Sequence, residues 1–99
     1  MRWRDALLRL HTHGWNADEI DEACEALHET CEEGMYDGTD LAELTLAQVQ
    51  AVLNVTLDHR LLECIHTIAV WRRRLDQEGD DLRRALYDLD GFAYRSSTE

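Results

Sequence analysis

Apolar residues recur along this chain every three or four positions, the spacing that returns side chains to one face of an α-helix. Trp3, Ala6, Leu7 and Leu10 form such a stripe and predict a helix over residues 2–13. His11 and His13 fall in its last turn, where the helix dipole favours positive charge, and Gly14 ends it. The second helix, over 16–33, opens with Asn16 and Glu19 at the spacing of a capping box, with Trp15 and Ile20 flanking them as a hydrophobic staple. On a wheel of about 100° per residue, Ala23, Cys24, Leu27, Thr30 and Cys31 lie within about 80° of Ile20, whereas Asp18, Glu22, Glu25, Glu29 and Glu33 point elsewhere.

A third helix is expected from residue 40 or 45 to 54. Thr45 with Gln48 favours the later start, as a second capping box stapled by Leu44 and Val49. Leu57, Leu61, Cys64, Ile65, Ile68, Trp71 and Leu75 continue the helical period and predict a fourth helix over 56–77, or a single long helix over 45–77. A short last helix over 80–89 ends before Gly91, and residues 95–99 read as a frayed tail. The five glycines, at 14, 34, 38, 79 and 91, read as punctuation between these segments. Strand-like alternation of β-branched residues is absent. The pattern therefore predicts an all-α fold, a small compact bundle of four to five helices forming one domain over residues 1–94.

Composition narrows the class without naming a function. The chain is 44% hydrophobic and 31% charged with a net charge of −11, which keeps it among globular sequences. Its apolar runs are broken by charge, so no transmembrane helix is expected. The first ten residues lack the continuous apolar run of a signal peptide. Cys24 and Cys31 sit seven residues apart on one predicted helix, about 10 Å, too far for a disulfide. Free thiols imply a reducing, cytoplasmic setting.

Charge order changes the picture more than charge content. Between Leu10 and His59 there are twelve acids and no arginine, while residues 1–9 sum to +2 and residues 60–99 to −1. All ten bases are arginines. Acids placed only for solubility would be interleaved with bases at i,i+4, which gains a few tenths of a kcal/mol per pair; here Glu22, Glu25, Glu29, Glu32 and Glu33 stack like charges along one helix. Three arrangements account for that. The acids form a solvated, salt-adapted face. Alternatively they meet Arg72, Arg73, Arg74, Arg83 and Arg84 of the same chain or of a homodimer partner. In the third they dock on a basic protein surface, including one that otherwise holds nucleic-acid phosphates.

The third reading assigns the chain a function, with Asp18, Glu22, Glu25, Glu29, Glu32, Glu33, Asp37 and Asp40 as partner-binding residues. In size and charge the chain then resembles small anti-CRISPR and anti-restriction inhibitors that imitate nucleic acid; the resemblance implies a nucleic-acid-binding protein as partner.

The remaining constellations are weaker. Leu44 to Ile65 has the outline of a helix-turn-helix, which offers the alternative of a dimeric regulator touching DNA through Arg2, Arg4, Arg72–Arg74 and Arg83–Arg84. Gln50 occupies its usual alanine position, however, and Asp58, His59 and Glu63 stand where phosphates call for bases; direct nucleic-acid binding is not expected. Cys24, His28 and Cys31 at i, i+4 and i+7 have zinc-ligand character, yet the cysteines fall within the apolar stripe, where thiols act as small hydrophobes; no metal or cofactor is expected. Glu25 with His28 and Glu63 with His66 repeat the Glu-x-x-His pattern of di-iron bundles, but Glu25 and the Glu63/His66 pair point away from the apolar faces. His59, Glu63 and His66, flanked by Val52 and Val70, make an outward stripe that suggests a secondary contact surface. No nucleophile elbow or phosphate-cradling loop is present, so an enzyme is not expected.

Overall fold

The computed structural model describes residues 1–97, and it is all-helical, with no strand among them. Six α-helices follow in order: α1 (Trp3–Thr12), α2 (Ala17–Glu32), α3 (Leu46–Leu53), α4 (His59–Trp71), α5 (Gln77–Tyr87) and α6 (Leu89–Ser97), with a 3₁₀ turn at Leu41–Glu43 between α2 and α3. The Cα radius of gyration, 13.0 Å, is that of a compact domain of this length.

Both capping boxes form. Asn16 Oδ1 accepts from the Glu19 amide at 2.8 Å and Glu19 Oε1 from the Asn16 amide at 3.2 Å; Thr45 and Gln48 exchange the same bonds at 3.2 and 2.9 Å. Gly14 takes φ +86° after α1, the left-handed conformation that ends a helix at little cost. Asn54 does the same for α3 at φ 53°. The Asp58 side chain then caps α4, so residues 45–77 are two helices.

Three predicted boundaries need correction. α4 stops at Trp71 and does not reach residue 77. Arg83, from α5, donates from Nη1 to the carbonyls of Arg72 at 2.7 Å and Arg74 at 2.9 Å, satisfying groups a helix end leaves open. Leu75, expected on the apolar stripe, is consequently 95% exposed. The last segment starts at Gln77 because Asp76, not a residue near 80, accepts from the Gly79 amide as N-cap. Gly79 is thus inside a helix, and it is needed there for space: a methyl group on it would overlap the Arg74 carbonyl. Gly91 is also helical, since α6 resumes after Asp88 and runs to Ser97 where a frayed tail was expected. Thr98 and Glu99 lie outside the described residues.

α4 is the central element. Leu62, Cys64, Ile65, Ile68 and Ala69 are buried on it, packed among α1, α2, α3 and α5. The core adds Leu7 and Leu10 from α1, Ile20, Cys24 and Leu27 from α2, Val49 from α3 and Leu82 from α5. Trp3 stacks on Phe92 with ring centroids 6.0 Å apart, tying the two ends of the chain together. Among the described residues no helix is long and apolar enough to cross a membrane.

Candidate interaction surface

Once Ile20, Cys24, Leu27 and Cys31 face the core, the carboxylates of α2 must face outward. They do not form one uniform face. Along one edge, beside the end of α4, Arg72 Nη2 reaches Asp21 Oδ1 at 2.8 Å and Glu25 Oε1 at 2.5 Å, and Arg73 pairs with Glu32. The Arg72 side chain is only 18% exposed. Burial by itself would lower its basicity; the hydrogen bond to Glu25 and the charge of Asp21 outweigh that and hold it above its ordinary value. Its Nη1 is buried without a hydrogen-bond partner among the described residues. Cys24 lies beneath it, and burial pushes that thiol up to about 12 against the pull of the guanidinium. On the same seam His28 Nε2 donates to the Ala69 carbonyl at 3.1 Å. Burial lowers the His28 pKa below its usual 6.5, followed in weight by the opposing bond to Ala69 and the charge of Arg73.

Along the other edge Asp18, Glu22, Glu29 and Glu33 are exposed and form no ion pair among the described residues. Spaced four, seven and four residues apart, they make a ridge about 22 Å long. Glu29 and Glu33 stand at the negative end of the α2 dipole, where a carboxylate is unfavourable. Of the other candidates, Asp37 is exposed in the turn after α2, and Asp40 caps the 3₁₀ turn through Ala42. The eight carboxylates expected to act together therefore separate, with Glu25 and Glu32 bound to the chain's own arginines.

Beside the ridge runs an apolar groove between α2 and α3 of about 300 Å³, lined by Trp15, Ala23, Ala26, Val52, Leu53 and Val55, with Glu19 and Glu22 on its α2 rim. Val55 is 46% exposed and Trp15, Val52 and Leu53 are half-buried. Sequence reasoning marked Val52 as part of a contact surface on the α4 side but did not place it in a groove against α2. A signal for it exists: from Leu44 to Leu57 there is no charged residue, in a chain where 31% are charged. Leu44 and Val49 of that run are buried in the core and Leu46, Val52, Leu53 and Leu57 pack against it, so the surface left over is Val55 with the outer sides of Val52 and Leu53.

The other candidate residues are dispersed or internally engaged. His66 donates to the Leu41 carbonyl at 2.7 Å and Val70 packs against the core, while His59 and Glu63 are exposed. Cys24 and Cys31 are buried, and among the described residues no group of three or more His, Cys, Asp or Glu is arranged to hold a metal. Of the arginines considered for DNA, Arg72 and Arg73 bind α2, Arg74 pairs with Asp76 and Arg83 with Asp80, and Arg4 lies 3.8 Å from Asp81. Arg2 and Arg84 remain without an ion pair among the described residues. In the helix-turn-helix segment, α4 turns its long apolar face into the core and exposes only its first turns at His59, Arg60 and Glu63.

Comparison of the chain with protein-family models, with curated proteins and with solved structures returned no match.

Proposed function

We propose that this chain is a non-enzymatic interaction protein that docks on a positively charged protein surface through the free edge of α2. One observation carries the reading: a single helix has its acids neutralised from within on one edge and left unpaired on the other. Adding Arg73 to Glu32 while leaving Glu29 and Glu33 bare at a helix C-terminus gives up stability that an intramolecular base would supply. A basic partner supplies it on binding and gains on-rate and specificity from the complementary charge.

Spacing separates two forms of the idea. Duplex DNA presents about one charge per 1.7 Å of its axis, whereas the ridge presents one per roughly 7–8 Å at 1.5 Å rise per residue. That suits individual arginines or lysines of a partner better than a channel built for a phosphate array. Competition with nucleic acid is accordingly a result to be read from the assay.

The test is a reversal confined to the free edge. Glu22→Arg, Glu29→Arg and Glu33→Arg together are expected to abolish binding to a basic protein, or to a cationic polypeptide standing in for it, and to leave the unfolding midpoint unchanged or higher. Binding by the parent chain should weaken steeply as salt rises. A reversed variant that binds as well as the parent ends the proposal. A low-salt gel shift in which the parent chain itself retains DNA would favour the regulator alternative.

A further inference from the structure

The acidic ridge does not stand alone, and the surface beside it narrows what the partner must look like. The α2–α3 groove is apolar on its floor, carries carboxylates only on its α2 wall through Glu19 and Glu22, and is continued on that side by Glu29 and Glu33. The opposite wall, α3 and the turn after it, lines the groove with Val52, Leu53 and Val55 and carries no charged residue. We infer that this groove receives an amphipathic helix of a partner protein, seated with its apolar stripe on Ala26, Val52 and Val55 and with its arginines or lysines turned toward α2. The inference rests on the reading of α2 as an interaction surface and adds the partner's secondary structure, its anchors and its orientation.

Three features select a helix over other polypeptide shapes. An extended peptide gains affinity by pairing its backbone with a sheet edge, and no strand exists among the described residues. The α2 wall from Glu19 to Ala26 spans seven residues, about 10 Å; apolar anchors at i, i+3 or i+4, and i+7 on a docking helix span the same length. The groove is a shallow, open depression, which suits the flank of a helix laid along it rather than a side chain inserted into a closed cavity. Charge on only one wall then fixes the azimuth, since a basic flank against α3 would be desolvated without an acid to meet it. The groove contributes affinity that salt does not screen, and the ridge contributes steering that salt does screen.

The experiment titrates the full chain with two synthetic peptides of the same composition. One is helical, with leucines at i, i+3, i+4 and i+7 and arginines along one flank; the other has that sequence scrambled so that charge is kept and the apolar stripe is lost. Binding is followed by amide and methyl chemical shifts at 0.05 and 0.5 M salt. The expected result is at least tenfold tighter binding of the amphipathic peptide, a difference that persists at high salt. Shifts should centre on the Trp15 indole, Ala26, Val52 and Val55, and Val52→Ser with Val55→Ser should remove the advantage. Because the shift map uses the parent chain, a variant that folds poorly does not blunt the test. Equal binding of both peptides, with shifts confined to the ridge, overturns the groove and leaves the acidic-surface reading standing. If neither peptide binds at low salt, both fall. A concentration-dependent dimer with shifts at the groove assigns it to a second copy of this chain and overturns a partner helix.

Discussion

The two edges of α2 are built from the same residue types and do opposite things. Asp21, Glu25 and Glu32 on one edge hold the helix to the end of α4 through Arg72 and Arg73. Asp18, Glu22, Glu29 and Glu33 on the other repel one another across solvent. A rotation of less than one residue's arc separates Glu25 from Glu29, yet one is part of the fold's own cohesion and the other is a cost the fold carries. Acidic composition therefore says little about an acidic residue's role; what decides it is which neighbour lies across the gap.

The largest way to break the contrast is to remove the clamp. Arg72→Ala takes away a mostly buried guanidinium and leaves two carboxylates without their base, so a loss of about 2–3 kcal/mol is expected. Urea unfolding measures it, and an unchanged midpoint would show that the clamped edge is no different from the free one. Gly79→Ala acts one step removed. Its methyl group would push on the Arg74 carbonyl and displace the segment that presents Arg72 and Arg73. A cost of about 2 kcal/mol is expected, seen as a thermal midpoint lower by about 10 °C.

His28 sharpens the comparison through pH, because it belongs to the clamped seam. Its folded pKa is depressed, so on acidification below 6.5 the unfolded chain takes up a proton that the folded chain refuses. Stability is therefore full above that pH and falls as pH drops toward the lowered folded value. His28→Gln keeps a donor for the Ala69 carbonyl, costs about 1 kcal/mol or less, and should flatten the acid limb of a stability profile below pH 6.5. A limb of unchanged slope would assign the pH response to other groups.

The smallest effects are the most direct. Glu25→Gln, on a pair whose carboxylate is 62% exposed, is expected to lower stability by a few tenths of a kcal/mol. Glu22→Gln is expected to raise it by a similar amount by relieving like-charge repulsion. The two changes should converge toward zero at 0.5 M salt. Equal signs for the two would erase the distinction on which the proposed surface depends.

Much of this architecture was legible along the chain because its determinants act within a few residues. The caps at Asn16 and Thr45 reach three positions ahead, Gly14 and Asn54 act through their own backbone angles, and the buried stripe of α2 follows from period alone. The all-helical class and the outward sense of the α2 acids came with them. What needed the tertiary structure lies between residues far apart in sequence. Arg72 finds Glu25 across 47 positions and Arg73 finds Glu32 across 41. Arg83 reaches back to the Arg72 and Arg74 carbonyls just past α4, in a segment whose apolar period invited the helix to continue to Leu75. The groove, likewise, is a property of neither α2 nor α3 but of the gap between them. Periodicity reports which face of a helix is inward, since that depends on local geometry; which charge meets which, and what surface two helices leave open between them, depends on how the chain closes on itself.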